Sequence, residues 1–303
     1  MSTADTTLEG PSGDATPRWR QTLSLLAKNR LASAGAVVLI VLVLAAVFGP
    51  SLVPYGVNEQ DIASRLNGPS GAHWFGTDDL GRDVFSRVLL GARVSLQVGV
   101  IAVGISLVAG TAIGLAAGYR GGWLDAVLMR LMDVLFSFPV ILLAIAIVAV
   151  LEPSLFTLQL AIAVVFTPIH ARVVRGSVLS VREDVHIQAV RALGASDLRI
   201  VAKHVLPNVA APVIVQASLS LAFAILTEAA LSYLGIGVQP PRAAWGADLQ
   251  ASQGFLASGS WWMAVFPGLA ILVTVMAFNL LGDGLRDVLD PKQRSVIESR
   301  GVT

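Results

Sequence analysis

Glu228 is the one carboxylate of this chain set deep within an apolar stretch, where an unpaired charge is expensive in hydrocarbon. A carboxyl there faces a cavity, faces a partner, or is protonated, so proton relay is one chemistry open to it. Asp78, Asp79, Arg82 and Asp83 form a second charged group, suited either to docking a charged partner or to an internal salt-bridge network that shapes a loop. A third group is the polar block from Gln188 to Asp197, running on to Leu206-Pro207-Asn208, which interrupts two long apolar segments. Other chemistries are excluded. The chain has no cysteine, which removes disulfides, cysteine-ligated zinc and thiol catalysis together. His73, His170, His186 and His204 are far apart and make no metal-ligand spacing. No glycine-rich loop ending in Gly-Lys-Ser or Gly-Lys-Thr occurs, so nucleotide binding by that device is not expected. His170, the only histidine in a span, has only ordinary serines to work with, too little for an intramembrane hydrolase.

The elements that must position these residues are membrane spans. Hydrophobic residues make up 55% of the 303 and charged residues 14%, with a mean hydropathy of +0.73, too little polar surface for a soluble domain. The net charge of +1, without a dense basic cluster, gives no footing for nucleic acid. At about 20 apolar residues per crossing, six spans are expected, at roughly Ala32–Val53, Ser95–Ala117, Val127–Leu151, Phe156–Val174, Val209–Leu234 and Trp262–Leu281. Pro168 and His170 interrupt the fourth, and Pro139 should bend the third. With the N-terminus inside, only Arg65, Arg82, Arg87, Arg93 and Arg242 of the 21 basic residues fall outside, a bias that places both termini and the Gly194 hinge in the cytosol.

The expected organisation is a disordered cytoplasmic N-terminus (1–17), an interfacial segment (18–31), a first span (32–53), an extracytoplasmic segment (54–94), a core of five spans (95–283) and a cytoplasmic tail (284–303). The charge order at the N-terminus is wrong for a cleaved signal. No internal repeat is evident. Gly110, Gly114 and Gly118 make a ridge on span two for close helix packing, within the chain or between subunits. Arg130 and Asp133, three apart, can pair on one helix face. Trp245, Trp261 and Trp262 read as interface-belt anchors.

Within the polar block, a first helix from about Glu183 to Leu193 would carry Val185, Ala189 and Leu193 on one side. Gly194 stops it and Ser196 is a good N-cap for a second helix. That helix would carry Leu198, Val201, Ala202 and Val205 on one stripe and close at Pro207. An apolar stripe outside the bilayer needs cover, from lipid headgroups or from a peripheral partner.

These residues resemble the cytoplasmic "EAA" loop of ABC-importer membrane subunits. Ala192-Leu193-Gly194-Ala195-Ser196-Asp197 and the later Leu206-Pro207 match the pattern, while Gln188-Ala189-Val190 stands where Glu-Ala-Ala is usual. The substitution removes a carboxylate and its charge-assisted contact but keeps an amide able to hydrogen-bond. Further blocks are similar to the dipeptide/oligopeptide/nickel permease family: His73-Trp74-Phe75-Gly76-Thr77-Asp78, Glu228-Ala229-Ala230-Leu231-Ser232-Tyr233-Leu234-Gly235, Pro240-Pro241, Trp245-Gly246, Phe266-Pro267-Gly268 and Asn279-Leu280-Leu281-Gly282-Asp283-Gly284. The resemblance covers about Arg18 to Pro291 and is greatest to the "C" permeases of that family.

The resemblance implies an all-α membrane protein of the type I importer permease fold, with six spans and a cytoplasmic coupling-helix loop. It implies a permease subunit for short peptides in a bacterial or archaeal cell membrane, non-catalytic itself. The implied partners are a homologous permease, two ATPases that hold the ATP and Mg, an extracytoplasmic binding protein, and lipid. Gln188, Ala189, Arg191, Ala192, Leu193, Gly194, Ser196 and Asp197 become the expected ATPase-coupling residues. Span five resembles a pore-lining helix, which makes Glu228 a candidate for the translocation path, alongside a buried structural hydrogen bond. A proton-coupled secondary transporter using Glu228 is the alternative reading, and a membrane scaffold without transport activity leaves the Gly194 loop unexplained.

Overall fold

The structure, a computed structural model, describes residues 25–289. The expected disordered segment 1–17, the start of the interfacial segment and most of the tail lie outside the described residues. Helix α1 runs Arg30–Leu52, with the Asn29 side chain accepting from the Leu31 and Ala32 amides, a local N-cap that satisfies two otherwise orphaned donors. Helix α2 follows at Val84–Arg120, then α3 at Gly122–Phe136, α4 at Val140–Leu151 and α5 at Leu155–Val181. The polar block supplies α6 at Val185–Ala192 and α7 at Asp197–Ile200. Helices α8 (Leu206–Tyr233), α9 (Trp245–Ser252) and α10 (Trp262–Leu289) complete the bundle. Among the described residues the only β pairing is a single bridge between Thr77 and Asp83.

Five helices are long and apolar enough to cross a membrane, and α3 with α4 makes a sixth crossing if the pair is counted as one broken span. That pair is bent by 92°. The expected bend at Pro139 is therefore a break: proline has no amide hydrogen to give and disfavours the helical conformation of Phe138, and Ser137 ends α3 while Pro139 opens α4. Pro168, by contrast, is absorbed inside α5. Helix α2 begins at Val84, well before the expected Ser95. Its 37 residues are about 55 Å long, more than the roughly 30 Å hydrocarbon core, so one end projects beyond it.

The glycine ridge of α2 lies against α5 of the same chain. A Cβ on Gly110 would sit 2.5 Å from the His170 Cβ, one on Gly114 2.6 Å from the Ala171 carbonyl oxygen, and one on Gly118 2.9 Å from the Val178 Cβ. The backbones touch where side chains would hold them apart. Around this seam Val98 and Ala102 of α2, Leu158 and Ile162 of α5, Val148 of α4 and Leu231 of α8 form one core. A second core joins Leu39 of α1 to Ile225 of α8, Trp245 of α9 and Phe278 of α10. Much of the other face of α1 is apolar and exposed, including Val37, Val41, Leu44 and Phe48, as a lipid-facing span requires.

The Arg130–Asp133 pair does not form. Asp133 instead bonds Arg172 of α5 at 2.7 Å, and Asp125 takes both Nε (2.5 Å) and Nη2 (2.7 Å) of Arg175. Spacing along one helix allows a pair, but here a bidentate or closer donor arrives from the neighbouring helix. The charged group around Asp78 is an internal network: Asp78 holds Arg82 at 2.5 Å, Asp83 caps α2 by accepting from Ser86 and also meets His73 at 2.9 Å, and Arg87 meets Asp248 of α9 at 2.5 Å. Asp78, Arg82, Asp83 and Arg87 are all buried. Two of the three tryptophans expected in an interface belt are buried as well. The Trp245 indole N–H donates to the Val88 carbonyl at 2.8 Å and that of Trp262 to the Thr77 carbonyl at 3.0 Å, so these indoles tie the outer segments to the bundle; Trp261 alone is exposed.

Candidate functional site

The polar block folds as a hinged pair whose two faces differ. Asp184 stands at the N-cap position of α6 without a side-chain capping bond, and Gly194, at φ +81° with no atom close to where a Cβ would be, turns the chain in the left-handed conformation that glycine adopts without cost. Ser196 occupies the N-cap position of α7, although its hydroxyl makes no capping bond. The inner face is apolar and buried: Ile187, Ile200, Val205 and Val209 pack with Val174 and Val178 of α5, and Val190 and Ala195 flank them beside Leu115 and Tyr119 of α2.

The outer face carries Val185, Leu193 and Leu198, exposed by 82%, 88% and 79%, with Ala189 and Ala192 exposed between them. The first expected stripe is thus the free one. The second is split, with Leu198 and Ala202 out and Val205 in. The cause is a π-turn at Val201–Val205, whose wider winding shifts the phase that a 3.6-residue period assumes. The same turn overturns the expected stop at Pro207. The chain runs helically from Asp197 to Tyr233, because Pro207 falls in the first turn of α8, where its missing N–H is tolerated. Asn208 Nδ2 donates to the His204 carbonyl oxygen at 2.6 Å across this joint.

Polar contacts fasten the loop to the spans. Tyr119, at the C-terminal end of α2, donates its hydroxyl to Asp197 at 2.7 Å, and Arg191 donates to the same hydroxyl at 3.3 Å with its guanidinium 5.6 Å from the Tyr119 ring centre. Arg182 donates to the Gly118 carbonyl at 2.9 Å. Gln188 Nε2 donates to the Glu183 carbonyl at 3.1 Å, an in-chain bond that the usual glutamate, having no N–H, would not make. Sequence reasoning missed Tyr119, since its position at the end of a span gives no local sign of a partner in the loop.

Glu228 is placed wholly inside the chain, with no exposed surface. Ser232 Oγ donates to Glu228 Oε1 at 2.8 Å and accepts from the Val238 amide at 3.0 Å, so the carboxyl anchors the loop that follows α8. Its second oxygen is buried near Ser95 without a hydrogen bond of ordinary geometry among the described residues. Glu228 and the Gly194 hinge lie at opposite ends of α8 and do not share a site. His170 is also buried, with Nδ1 3.2 Å from Ser106 Oγ and 3.1 Å from the Phe166 carbonyl oxygen. That hydroxyl lies 2.9 Å from the Val103 carbonyl oxygen, and the pair has no carboxylate behind it among the described residues.

The combination of spans and a fastened two-helix loop with one free apolar face is matched by comparison with known proteins. Residues 110–295 match the family model for binding-protein-dependent transport system inner membrane components, and residues 17–69 match that for the N-terminal transmembrane domain of oligopeptide transport permease C. A dipeptide transport system permease protein of Alkalihalophilus pseudofirmus is 49% identical over 277 residues, 91% of each chain. A glutathione transport system permease protein of Pectobacterium atrosepticum is 43% identical over 278 residues, 91% of this chain and 92% of the relative. A probable D,D-dipeptide transport system permease protein of Escherichia coli K12 is 43% identical over 268 residues, 88% and 90% of the two chains. The chain therefore belongs to the binding-protein-dependent transport system inner membrane components, the multi-pass permease subunits of ABC importers.

Proposed function

We propose that this permease subunit carries short peptides, and that it couples their passage to separate ATPases through α6 and α7. The observation that carries the coupling role is the exposed row of Val185, Leu193 and Leu198 on a loop whose other face is packed into α2, α5 and α8. An apolar surface of that kind, rimmed by Arg191 and Arg199, suits a groove on a peripheral protein. In this reading two cytosolic ATPases hold the ATP and Mg, a homologous permease completes the pore, and an extracytoplasmic binding protein delivers the solute. Both termini lie in the cytosol, in agreement with the placement of basic residues.

The mechanism follows from how the loop is fastened. ATPase closure displaces the docked α6–α7 pair, the continuous helix from Asp197 through α8 carries that displacement into the bundle, and Tyr119 passes it to α2, so the spans move as a rigid body between two arrangements. Peptide specificity is supported by the relatives, which are named as dipeptide and glutathione permeases. A proton-coupled carrier would need Glu228 within reach of water, and that carboxyl exposes no surface; Glu228 is better suited to hold the loop after α8.

The test is gentle purification of the subunit through a C-terminal tag, identification of its companions and an assay of ATP hydrolysis. A second permease, ATPase subunits and peptide-stimulated hydrolysis are expected. A homogeneous chain without ATPase, extracted under conditions that preserve known complexes, would refute the reading.

A further inference from the structure

Helix α8 is open on two sides that differ in chemistry. At about 100° per residue, Ala210, Val213 and Ile214 lie opposite Asn208, Pro212 and Gln216. The first side faces a groove of about 540 Å³ shared with α2 and walled by apolar residues such as Leu107 and Val108, a surface suited to lipid chains or to another apolar helix. The second faces a groove of about 560 Å³ between α5, α8 and α10, where Asn208, Gln216 and Arg286 stand among Val173, Val215 and Leu219.

Those three polar groups are only partly used by the chain. Gln216 Nε2 donates to Ser220 Oγ at 3.3 Å, but its carbonyl oxygen has no donor among the described residues. Asn208 spends one N–H on His204 and its oxygen is free, and Arg286 has no carboxylate partner among the described residues. Polar groups inside an apolar span turn toward protein or a water-filled cavity, and here they turn into this groove. The groove opens on the side of the coupling loop, since Asn208 lies in the first turn of α8, just past the π-turn.

We propose that this groove is the subunit's wall of the solute path and takes an extended short peptide. The Gln216 and Asn208 amides pair with peptide backbone groups, and the Arg286 guanidinium at the mouth meets the terminal carboxylate. The stretch of α8 from Asn208 to Leu219 is about 16 Å long, which matches four or five residues of extended chain at about 3.3 Å each. This inference rests on the importer reading. It deepens it by naming the residues that touch the solute, and it moves the path from Glu228 to the opposite, open part of the same helix.

The natural absence of cysteine makes single thiols clean reporters on this polypeptide. Gln216→Cys, and Ile214→Cys as the control on the other side of α8, are introduced into the full complex, and inside-out vesicles are treated with the charged reagent 2-sulfonatoethyl methanethiosulfonate. Gln216→Cys should react roughly tenfold or more faster, because the reactive thiolate forms where water reaches it, and added trialanine should slow the reaction. Equal and slow labelling of both would mean that lipid or the second permease fills the groove and would overturn the proposal. Fast labelling of Gln216→Cys that trialanine leaves unchanged, in vesicles whose wild-type complex handles trialanine, would overturn the peptide-contact claim. Arg286→Gln, at the exposed mouth where packing is unaffected, should reduce trialanine uptake at limiting concentration by about tenfold, the loss of one charge-assisted bond; uptake near the wild-type rate removes Arg286 from the site. Wild-type cells that accumulate no labelled trialanine would refute peptide specificity alone, and the labelling contrast would still decide whether the groove is the solute path.

Discussion

Replacing Leu193 by Ala removes the most exposed apolar side chain of the loop while leaving the inner face untouched. In the isolated chain the change costs almost nothing, because the side chain buries little of its surface. If an ATPase covers it, burial of a leucine is worth about 1.5–3 kcal/mol, so L193A should weaken ATPase association by roughly 10- to 100-fold at about 1.4 kcal/mol per decade. Ile187→Ala, on the short helix that ends just before Leu193, provides the opposite case. Ile187 is fully buried, and its truncation should cost about 2–5 kcal/mol of packing within the subunit. The assay is titration of purified ATPase onto permease in detergent or nanodiscs, paired with thermal unfolding of the permease alone. L193A should shift the binding curve and leave the melting temperature in place; I187A should lower the melting temperature first. An L193A variant that binds ATPase as tightly as the wild type would refute the assignment of the outer face, whatever its transport activity.

Gly194→Leu should lower coupled uptake by uncoupling it from ATP hydrolysis, since a side chain at φ +81° costs about 1–3 kcal/mol of backbone strain although space is open there; normal coupled transport would count against the hinge. Gly114→Val places atoms where the Ala171 carbonyl and Val174 already sit, so α2 and α5 must separate at a cost of about 1–3 kcal/mol or more, read as a lower yield of monodisperse complex; unchanged yield and melting would show that the seam is loose. Arg87→Ala strands Asp248, whose carboxyl burial already pushes above the usual range against the pull of Arg87; loss of a buried partner should destabilise the outer end by about 3–5 kcal/mol, measured as protease sensitivity of the segment around α9. Glu228→Gln keeps an oxygen to accept from Ser232 and should retain uptake at all pH values tested, whereas loss of uptake with intact assembly would restore the carboxyl to the transport path.

Span number, the glycine hinge and the free stripe of Val185, Ala189 and Leu193 were legible because each is a local property. Hydropathy over a span-length window, a glycine after the last turn and a 3.6-residue period need no knowledge of neighbours. The second stripe was not legible, since a π-turn has no local composition that distinguishes Val201–Val205 from ordinary helix. Pro207 read as a stop for the same reason: proline ends a helix from within but is accepted at its first turn, and which applies depends on the winding before it.

The chain by itself determined that this is a membrane protein of five or six apolar crossings with a two-helix polar block turned at a glycine, because apolar length and backbone preference are carried residue by residue. Tertiary structure alone decided the partners. Asp133 bonds Arg172 and not Arg130, the glycine ridge meets α5 inside the chain, Trp245 and Trp262 are buried, and Glu228 closes on Ser232 with no surface left for a pore. All but the Glu228–Ser232 bond are choices between groups far apart in sequence. For the buried groups among them burial makes the choice, because in a low-dielectric interior the polar group that arrives with the better geometry wins and the one left unpaired is penalised.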